Sequence, residues 1–369
     1  MAQPSTTGRA RWDGSQGGFS LIELMVVLAI LLTVSATVMT LMFHMTMTQG
    51  SITNRTEMHS SVRSATEILQ QEISQAGRAT LPTQNSYTLT GTGISCTPPP
   101  PALPGTYLVC GAGTSATLTV IPDVAEFFVG EKVRIGPDAS DPEAKTETVQ
   151  LTGVDTSANT ITAVFQDAHA AGAAVSVVGG FAAGIVPFYT ASNTAKFLRM
   201  SGSSAVVETV TSGTGSTGSV LKLFGDINDD GKMVLIKYVC TQSTDGSGTL
   251  TRQMIPLDPV PNPIPAAVTL LEHLYYNENP ASPGSFANRL PCFNYQMKSV
   301  GANDSYVVNI AVTVSTQTQF RDPQTGAYQY ETKALLNVSP RNVFQAWQMA
   351  TEGIMSRVQP MPENVWSNL

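Results

Sequence analysis

Charge is scarce in this 369-residue chain. Asp, Glu, Lys and Arg together make up 13% of it, about half the usual ~25%. The 20 basic residues fall short of the 27 acidic ones, and the net charge is −7. With no basic surplus to neutralise phosphates, nucleic-acid binding gets no support from bulk charge. Aromatic residues are few, at 7%, and histidine and cysteine number four each. No CxxC or HExxH spacing occurs and the histidines are scattered, so no zinc site is read. No GxSxG elbow is present. Gly213-Thr214-Gly215-Ser216-Thr217-Gly218 has GxGxxG spacing, but it leads into the alternating run Val220-Leu221-Lys222-Leu223-Phe224. A dinucleotide site needs a helix there. His169 has no acidic or serine partner placed by sequence and reads as a surface or core histidine. What the chain has in quantity is Gly (30), Pro (23), Ser and Thr, which argues for strands and loops over helical bundles. Its 42% apolar content excludes disorder.

Proline, plentiful elsewhere, is missing between Phe19 and Leu81. Within that stretch Leu24 to Phe43 is an apolar run without Asp, Glu, Lys or Arg. Twenty helical residues at ~1.5 Å each span ~30 Å, the hydrocarbon thickness of a bilayer. Arg9 and Arg11 precede the run with only Asp13 opposing them, and the next basic residue is Arg55, which puts the N-terminus in the cytoplasm. A secretory signal would place small residues after a short apolar core. Here Gly17 and Gly18 come first, and a lone carboxylate, Glu23, borders the run. An unpaired carboxylate in lipid costs at least ~2.5 kcal/mol, so it is a functional candidate whose partner must be named. A cut after Gly18 would supply one, the new α-amine of Phe19, on the same or a neighbouring subunit.

Gly18-Phe19-Ser20-Leu21-Ile22-Glu23-Leu24 ahead of an apolar helix resembles the class III signal of type IV pilins and type II secretion pseudopilins. The resemblance implies that a prepilin peptidase cuts between Gly18 and Phe19 and methylates the Phe19 amine, with Glu23 neutralising that amine during assembly. The leader, residues 1–18, is longer than is common in the family. Many main filament subunits carry a proline inside the helix, and its absence here fits a minor subunit.

The expected fold is α+β: a long N-terminal transmembrane and amphipathic helix packed on an antiparallel β-sheet domain, with an inserted β-rich module. Residues 19–43 form the transmembrane part and 44–80 the amphipathic continuation, where Met58, Val62, Ala65, Leu69, Ile73 and Ala76 recur at helical spacing. One helix from Phe19 to about Ala76 is expected, ended by Gly77 and Pro82. Residues 81–115 read as a Pro-rich connector around Thr97 to Pro104. Short β-type runs follow at Tyr87–Leu89, Thr106–Val109, Ala116–Ile121, Lys132–Ile135, Thr148–Leu151 and Thr160–Phe165. Residues 116–180 read as the inserted module, since Val129 to Ile135 and Ala168 to Val175 resemble a small β-barrel or roll embedded in unrelated surface proteins. Residues 181–342 form the pilin-like sheet. Its hairpin, Val234 to Cys240 then Gly248 to Arg252, resembles the isoleucine-x-tyrosine and leucine-x-arginine strand pair of PilW-like minor pilins and J-type pseudopilins. Val268–Tyr276 reads as a connecting strand or helix end, and Val307–Thr318 with Tyr328–Val338 as a second hairpin. Ser339-Pro340-Arg341-Asn342 is similar to that family's ending. Residues 343–369 are a C-terminal helix and tail, with Ser339 as N-cap, Pro340 at the first helical position, and a face of Val343, Phe344, Trp347, Ile354 and Val358.

Cys96, Cys110, Cys240 and Cys292 outside the membrane suggest disulfides; three pairings are open, and Cys96–Cys110 with Cys240–Cys292 is favoured. Asp226-Ile227-Asn228-Asp229-Asp230-Gly231-Lys232 matches the opening of a calcium loop, with Asp226, Asn228 and Asp230 as ligands and the Lys232 carbonyl in the next place. Lys237 stands where the bidentate Glu belongs, and a plain polar turn fits the same residues. Calcium is the one cofactor considered. Three functions remain open. The first is a non-enzymatic minor pilin that primes, caps or enters a type IV pilus, with major and other minor pilins, prepilin peptidase and the assembly platform as partners. The second is a minor pseudopilin of a type II secretion system. The third is a tip adhesin or a module binding DNA or another ligand. An anchored enzyme ranks last. In all cases the chain crosses the inner membrane once, its C-terminal domain outside the cytoplasm.

Overall fold

The computed structural model describes residues 18, 20–79, 86–94, 107–125, 127–137, 146–177, 181–192, 195–257 and 260–369. Helix α1 runs Leu21–Gln75, 55 residues. Its first half is apolar all round and exposed. Its second half is one-sided and buries Met58, Val62, Ala65, Leu69, Ile73 and, just past its end, Ala76 against the sheet. Gly77 at φ +80° ends it as a residue that tolerates the left-handed region. Pro82 lies outside the described residues.

Six strands then close a barrel: β1 (Tyr87–Thr90), β2 (Thr114–Ile121), β3 (Lys132–Ile135), β4 (Glu147–Asp155), β5 (Thr160–Phe165) and β6 (Ala174–Val177), in the order β1-β2-β5-β4-β3-β6. Alternation drives the closure: Leu118, Val120, Val133, Ile135, Val149, Leu151, Ile161, Ala163 and Phe165 point inward and form a core separate from the main one. The stretch expected as a connector therefore supplies a barrel strand, because Tyr87 and Leu89 bury inward while Tyr87 pairs with Val175. Of the strand expected at Thr106–Val109, the described residues 107–109 form no strand. Tyr107 and Val109 make only isolated bridges, to Ile94 and His169, before Gly111, Ala112 and Gly113 take positive φ and turn the chain.

The remaining elements are β7 (Phe181–Ala182), β8 (Lys196–Ser201), β9 (Ser204–Thr209), β10 (Val220–Gly225), β11 (Val234–Thr241), β12 (Gly248–Pro256), β13 (Val268–Tyr275), β14 (Phe293–Val300), β15 (Asp304–Gln317), β16 (Tyr330–Val338), α2 (Arg341–Thr351), β17 (Val358–Gln359) and α3 (Glu363–Ser367). Strands β10-β11-β12-β13-β15-β14, with β16 on β15, make a seven-stranded antiparallel sheet whose inner face meets the α1 stripe. The two expected hairpins are present, β11–β12 and β15–β16, and residues 268–275 are a strand.

The C-terminal helix differs from expectation. Pro340, at φ −73° and ψ 100°, precedes the first helical residue, Arg341, and Ser339 Oγ donates to the Val308 carbonyl at 3.1 Å instead of capping. Its buried positions are Val343, Ala346 and Ala350, small residues that allow close approach to the sheet. Phe344 is exposed, Trp347 is half-buried, Ile354 falls beyond the helix, and Val358 is buried in β17. The helix stops short because Gly353 takes φ +77°.

The C-terminal segment fastens the barrel. Lys132 Nζ donates to the Met355 and Val358 carbonyls at 2.6 and 3.0 Å. The Gln359 amide accepts from Lys132 N–H and donates to Lys132 C=O, both at 2.8 Å. Strand β17 pairs in parallel with β7, and Ala182 N–H donates to the Gly77 carbonyl at 2.7 Å.

Candidate functional site: the N-terminal segment and its seat

At the N-terminus Gly18 is exposed, and a Cβ added there would meet nothing within 4 Å. Among the described residues no packing contact demands a glycine at that position. Phe19 lies outside the described residues. Ser20, extended at φ −66° and ψ 141°, caps α1, and its backbone N–H donates to Glu23 Oε2 at 3.1 Å. That N–H belongs to the peptide bond joining Phe19 to Ser20, so the carboxylate lies at the helix N-terminus, where the macrodipole favours negative charge.

From Leu24 to Phe43 every large apolar side chain is exposed, Leu28 the least at 47%. The threonine hydroxyls in this stretch turn inward on the helix: Thr33 donates to the Ile30 carbonyl, Thr37 to Val34 and Thr40 to Ala36, each at 2.8 Å. A helix that bonds its threonine hydroxyls to its own backbone and shows large apolar side chains all round is suited to lipid.

The seat of the helix on the sheet holds a group that the sequence reading passed over. Glu72 is buried. Arg252 Nε donates to its Oε1 and Oε2 at 2.9 and 3.2 Å, and Arg252 Nη2 to Oε1 at 2.5 Å. Tyr238, opposite Arg252 on β11, donates its hydroxyl to Oε2. Burial, with the Glu72 carboxylate beside it, pushes the Tyr238 phenol well above its ordinary range, so it stays a donor. Tyr238 and Arg252 are the tyrosine and arginine of the strand pair singled out above. Glu72 had a signal of its own, since it stands three residues after Leu69 and four before Ala76, a charged residue within the apolar stripe.

The end of α1 meets the candidate calcium loop. Gly77 N–H donates to the Phe224 carbonyl at 2.9 Å and Asp226 N–H to that of Arg78 at 2.8 Å. A Cβ on Gly184 (φ +60°) would lie 2.3 Å from Gly77 N, so only glycine lets these backbones touch. Arg78 Nε lies 3.8 Å from Asp226 Oδ2, and its Nη2 pairs with Asp229. Asp226 Oδ1 accepts from Asp230 N–H at 3.1 Å, and Asp230 Oδ1 from Lys232 N–H at 3.0 Å. Asn228 turns its amide to Met254 Sδ, 3.8 Å away. Two carboxylates of the loop thus face a guanidinium. Among the described residues no group of three or more His, Cys, Asp or Glu is arranged to hold a metal ion.

Cys240 and Cys292 form a disulfide joining β11 to the start of β14. Cys110 is disulfide-bonded, and Cys96 lies outside the described residues. His169 is fully buried, its Nε2 2.9 Å from Glu147 Oε1. The Gly213 to Gly218 loop leads into β10, and Lys222 Nζ donates to the Gly213 and Thr214 carbonyls at 2.9 and 3.0 Å.

A family model for the prokaryotic N-terminal methylation motif matches residues 14–39. Comparison with curated proteins and with solved structures found no match.

Proposed function

Because this chain is type IV pilin-like, with the prokaryotic N-terminal methylation motif ahead of a long apolar helix, we propose that it is a minor pilin. In this reading it is a structural subunit, cut by a prepilin peptidase between Gly18 and Phe19, held in the inner membrane by residues 19–43, and then drawn into a type IV pilus beside other pilins.

The observation that carries the reading is the pairing of an exposed, unhindered Gly18 with a helix whose first half is bare and whose second half is seated on a sheet. A glycine that no described residue packs against fits recognition from outside. The bare half fits burial first by lipid and then by helices of other subunits, where Glu23 would meet a Phe19 amine. A minor position is supported by the barrel, which is fastened near the end of α1 farthest from the membrane and would burden a subunit repeated along the filament. The same architecture suits a type II secretion pseudopilus, favoured equally by the Tyr238 and Arg252 strand pair.

The test is fractionation. Sheared pili should contain the processed chain in amounts well below the main subunit, and Gly18→Leu should leave it full-length and in the membrane. Processed Gly18→Leu would overturn the cleavage site. Absence from sheared pili, with retention in a periplasmic pseudopilus, would move the subunit to the secretion system.

A further inference from the structure

Beyond its apolar run α1 is gripped by the connection between β15 and β16, and the contacts descend the helix in step. Asn54 Nδ2 donates to the Phe320 carbonyl at 3.5 Å, and Ser51 Oγ to Asp322 Oδ2 at 3.3 Å. A Cβ on Gly50 would lie 3.2 Å from Pro323 Cγ, and Gln324 Nε2 donates to Thr48 Oγ1 at 2.9 Å. On the way back Gln329 bonds to Arg55 and to Ser51. Among the described residues Gln324 makes the lowest of these contacts along α1, and Thr325 and Gly326 follow it in the same turn.

Height follows from the helix rise. Thr48 is five residues past Phe43, or ~7.5 Å, and the headgroup zone on each side of a bilayer is ~5–7 Å deep. The tip stands where headgroups meet water. Its exposed charge is basic. Asp322 is buried and accepts from Ser51, Gln324 N–H and Gln329. Arg321 stays exposed, its guanidinium 5.3 Å from the Tyr328 ring centre and its Nη1 3.4 Å from the Gly326 carbonyl. Arg55 is exposed on the facing helix, and the first acid on α1 after the apolar run is Glu57, ~21 Å past Phe43. In a chain of net charge −7, this end presents an arginine, which pairs with phosphate, and a tyrosine, a ring found at headgroup level on both membrane faces.

We propose that the β15–β16 tip, Arg321 and Tyr328 behind Gln324 and Thr325, rests on the outer headgroup layer of the bilayer that α1 crosses and engages anionic phosphate headgroups there. The inference depends on reading residues 19–43 as the membrane span. One helix alone leaves a domain free to spin about its axis; a second contact beside the helix fixes which face of the subunit looks along the membrane while it waits for assembly.

The test uses the full chain in phosphatidylglycerol vesicles containing lipid brominated near the glycerol end of the acyl chain, with the unsubstituted chain as the tryptophan baseline. The emission added by Thr325→Trp should be quenched at least twice as strongly as that added by Phe320→Trp, since Phe320 faces Asn54, about six helical residues or ~9 Å farther from the bilayer than Thr48. Arg321→Ser, or replacing the lipid with phosphatidylcholine, should weaken that quenching at least twofold. Val34→Trp, probed with lipid brominated deep in the chain, reports the span. Quenched Val34→Trp with unquenched Thr325→Trp would overturn the headgroup contact alone. Unquenched Val34→Trp would overturn the span reading and the contact with it. Equal quenching in anionic and neutral lipid would overturn the preference for anionic headgroups.

Discussion

Asn342 donates its side-chain amide to the carbonyl of Gln75 at 3.1 Å, so the start of the last long helix caps the end of the first. The last carbonyls of a helix lack internal partners, and α1 has no basic residue in its final turn to serve them. Asn342→Ala should lower stability by ~1 kcal/mol, read as an earlier melting transition in detergent, while Asn342→Asp, which cannot donate, should do no better.

The Glu72 clamp should behave as a buried ion pair. Glu72→Ala leaves Arg252 without its partner and should cost ~3 kcal/mol or more, whereas Glu72→Leu with Arg252→Met should recover most of the loss. A double-mutant cycle in urea measures the coupling. Tyr238→Phe should cost ~1 kcal/mol. Additive single and double variants would mean that the three side chains do not act together.

Stability should fall as pH rises through the neutral range because of Glu131. Glu131 is 2% exposed, and burial pushes its carboxyl from the ordinary 4.5 up to about 8. Between those values the folded chain holds a proton that the unfolded chain has released, so stability is complete below pH ~4.5 and lost up to about 8, by at most ~1.4 kcal/mol per pH unit. Glu131→Gln should flatten that slope in thermal melts taken from pH 5 to 9.

Calcium and the guanidinium of Arg78 would compete for the same carboxylates. The contacts of Asp226 and Asp229 support a turn pinned by Arg78, so the wild type should melt at the same temperature with millimolar calcium or with chelator. Asp226→Ala should melt earlier in both. A calcium-dependent rise of the wild type that Asp226→Ala abolishes would restore the ion, since a ligand bound a hundredfold above Kd adds ~2.7 kcal/mol.

Glu23→Val should insert into membrane at least as well as the wild type, because it removes a carboxylate that costs ~2.5 kcal/mol or more in lipid. Its amount in sheared filaments should drop several-fold. Normal incorporation would count against a pairing between Glu23 and a Phe19 amine.

Local periodicity made α1 legible: the stripe from Met58 to Ala76 and the apolar run from Leu24 to Phe43 each repeat a single pattern for many turns. Tyr238 and Arg252 were visible as strand residues, but their common target on α1 is 166 residues away for one and 180 for the other, and nothing local announces such a contact. The barrel was legible where Lys132–Ile135 and Thr160–Phe165 alternate. Its closure rests on Tyr87 meeting Val175, a pairing between two four-residue strands that no short window specifies. The β8–β9 hairpin escaped because Leu198, Val206 and Val207 alternate too weakly around Gly202 to stand out from loop. Phe344 and Ile354 fit helical spacing yet stay exposed, since spacing gives a face without saying which face the sheet accepts.

The fastening of the barrel also sets how the subunit carries mechanical load. A pull applied at the barrel passes from Lys132 to Gln359, across the parallel pair β17–β7, and from Ala182 to Gly77 at the end of α1. The first link in that series is a single side-chain amide on one stretch of backbone, and the other two are short sets of backbone bonds. The weakest of them, not the seven-stranded sheet, sets the force at which the barrel tears away, and α1 would stay seated by its Glu72 clamp after the tear.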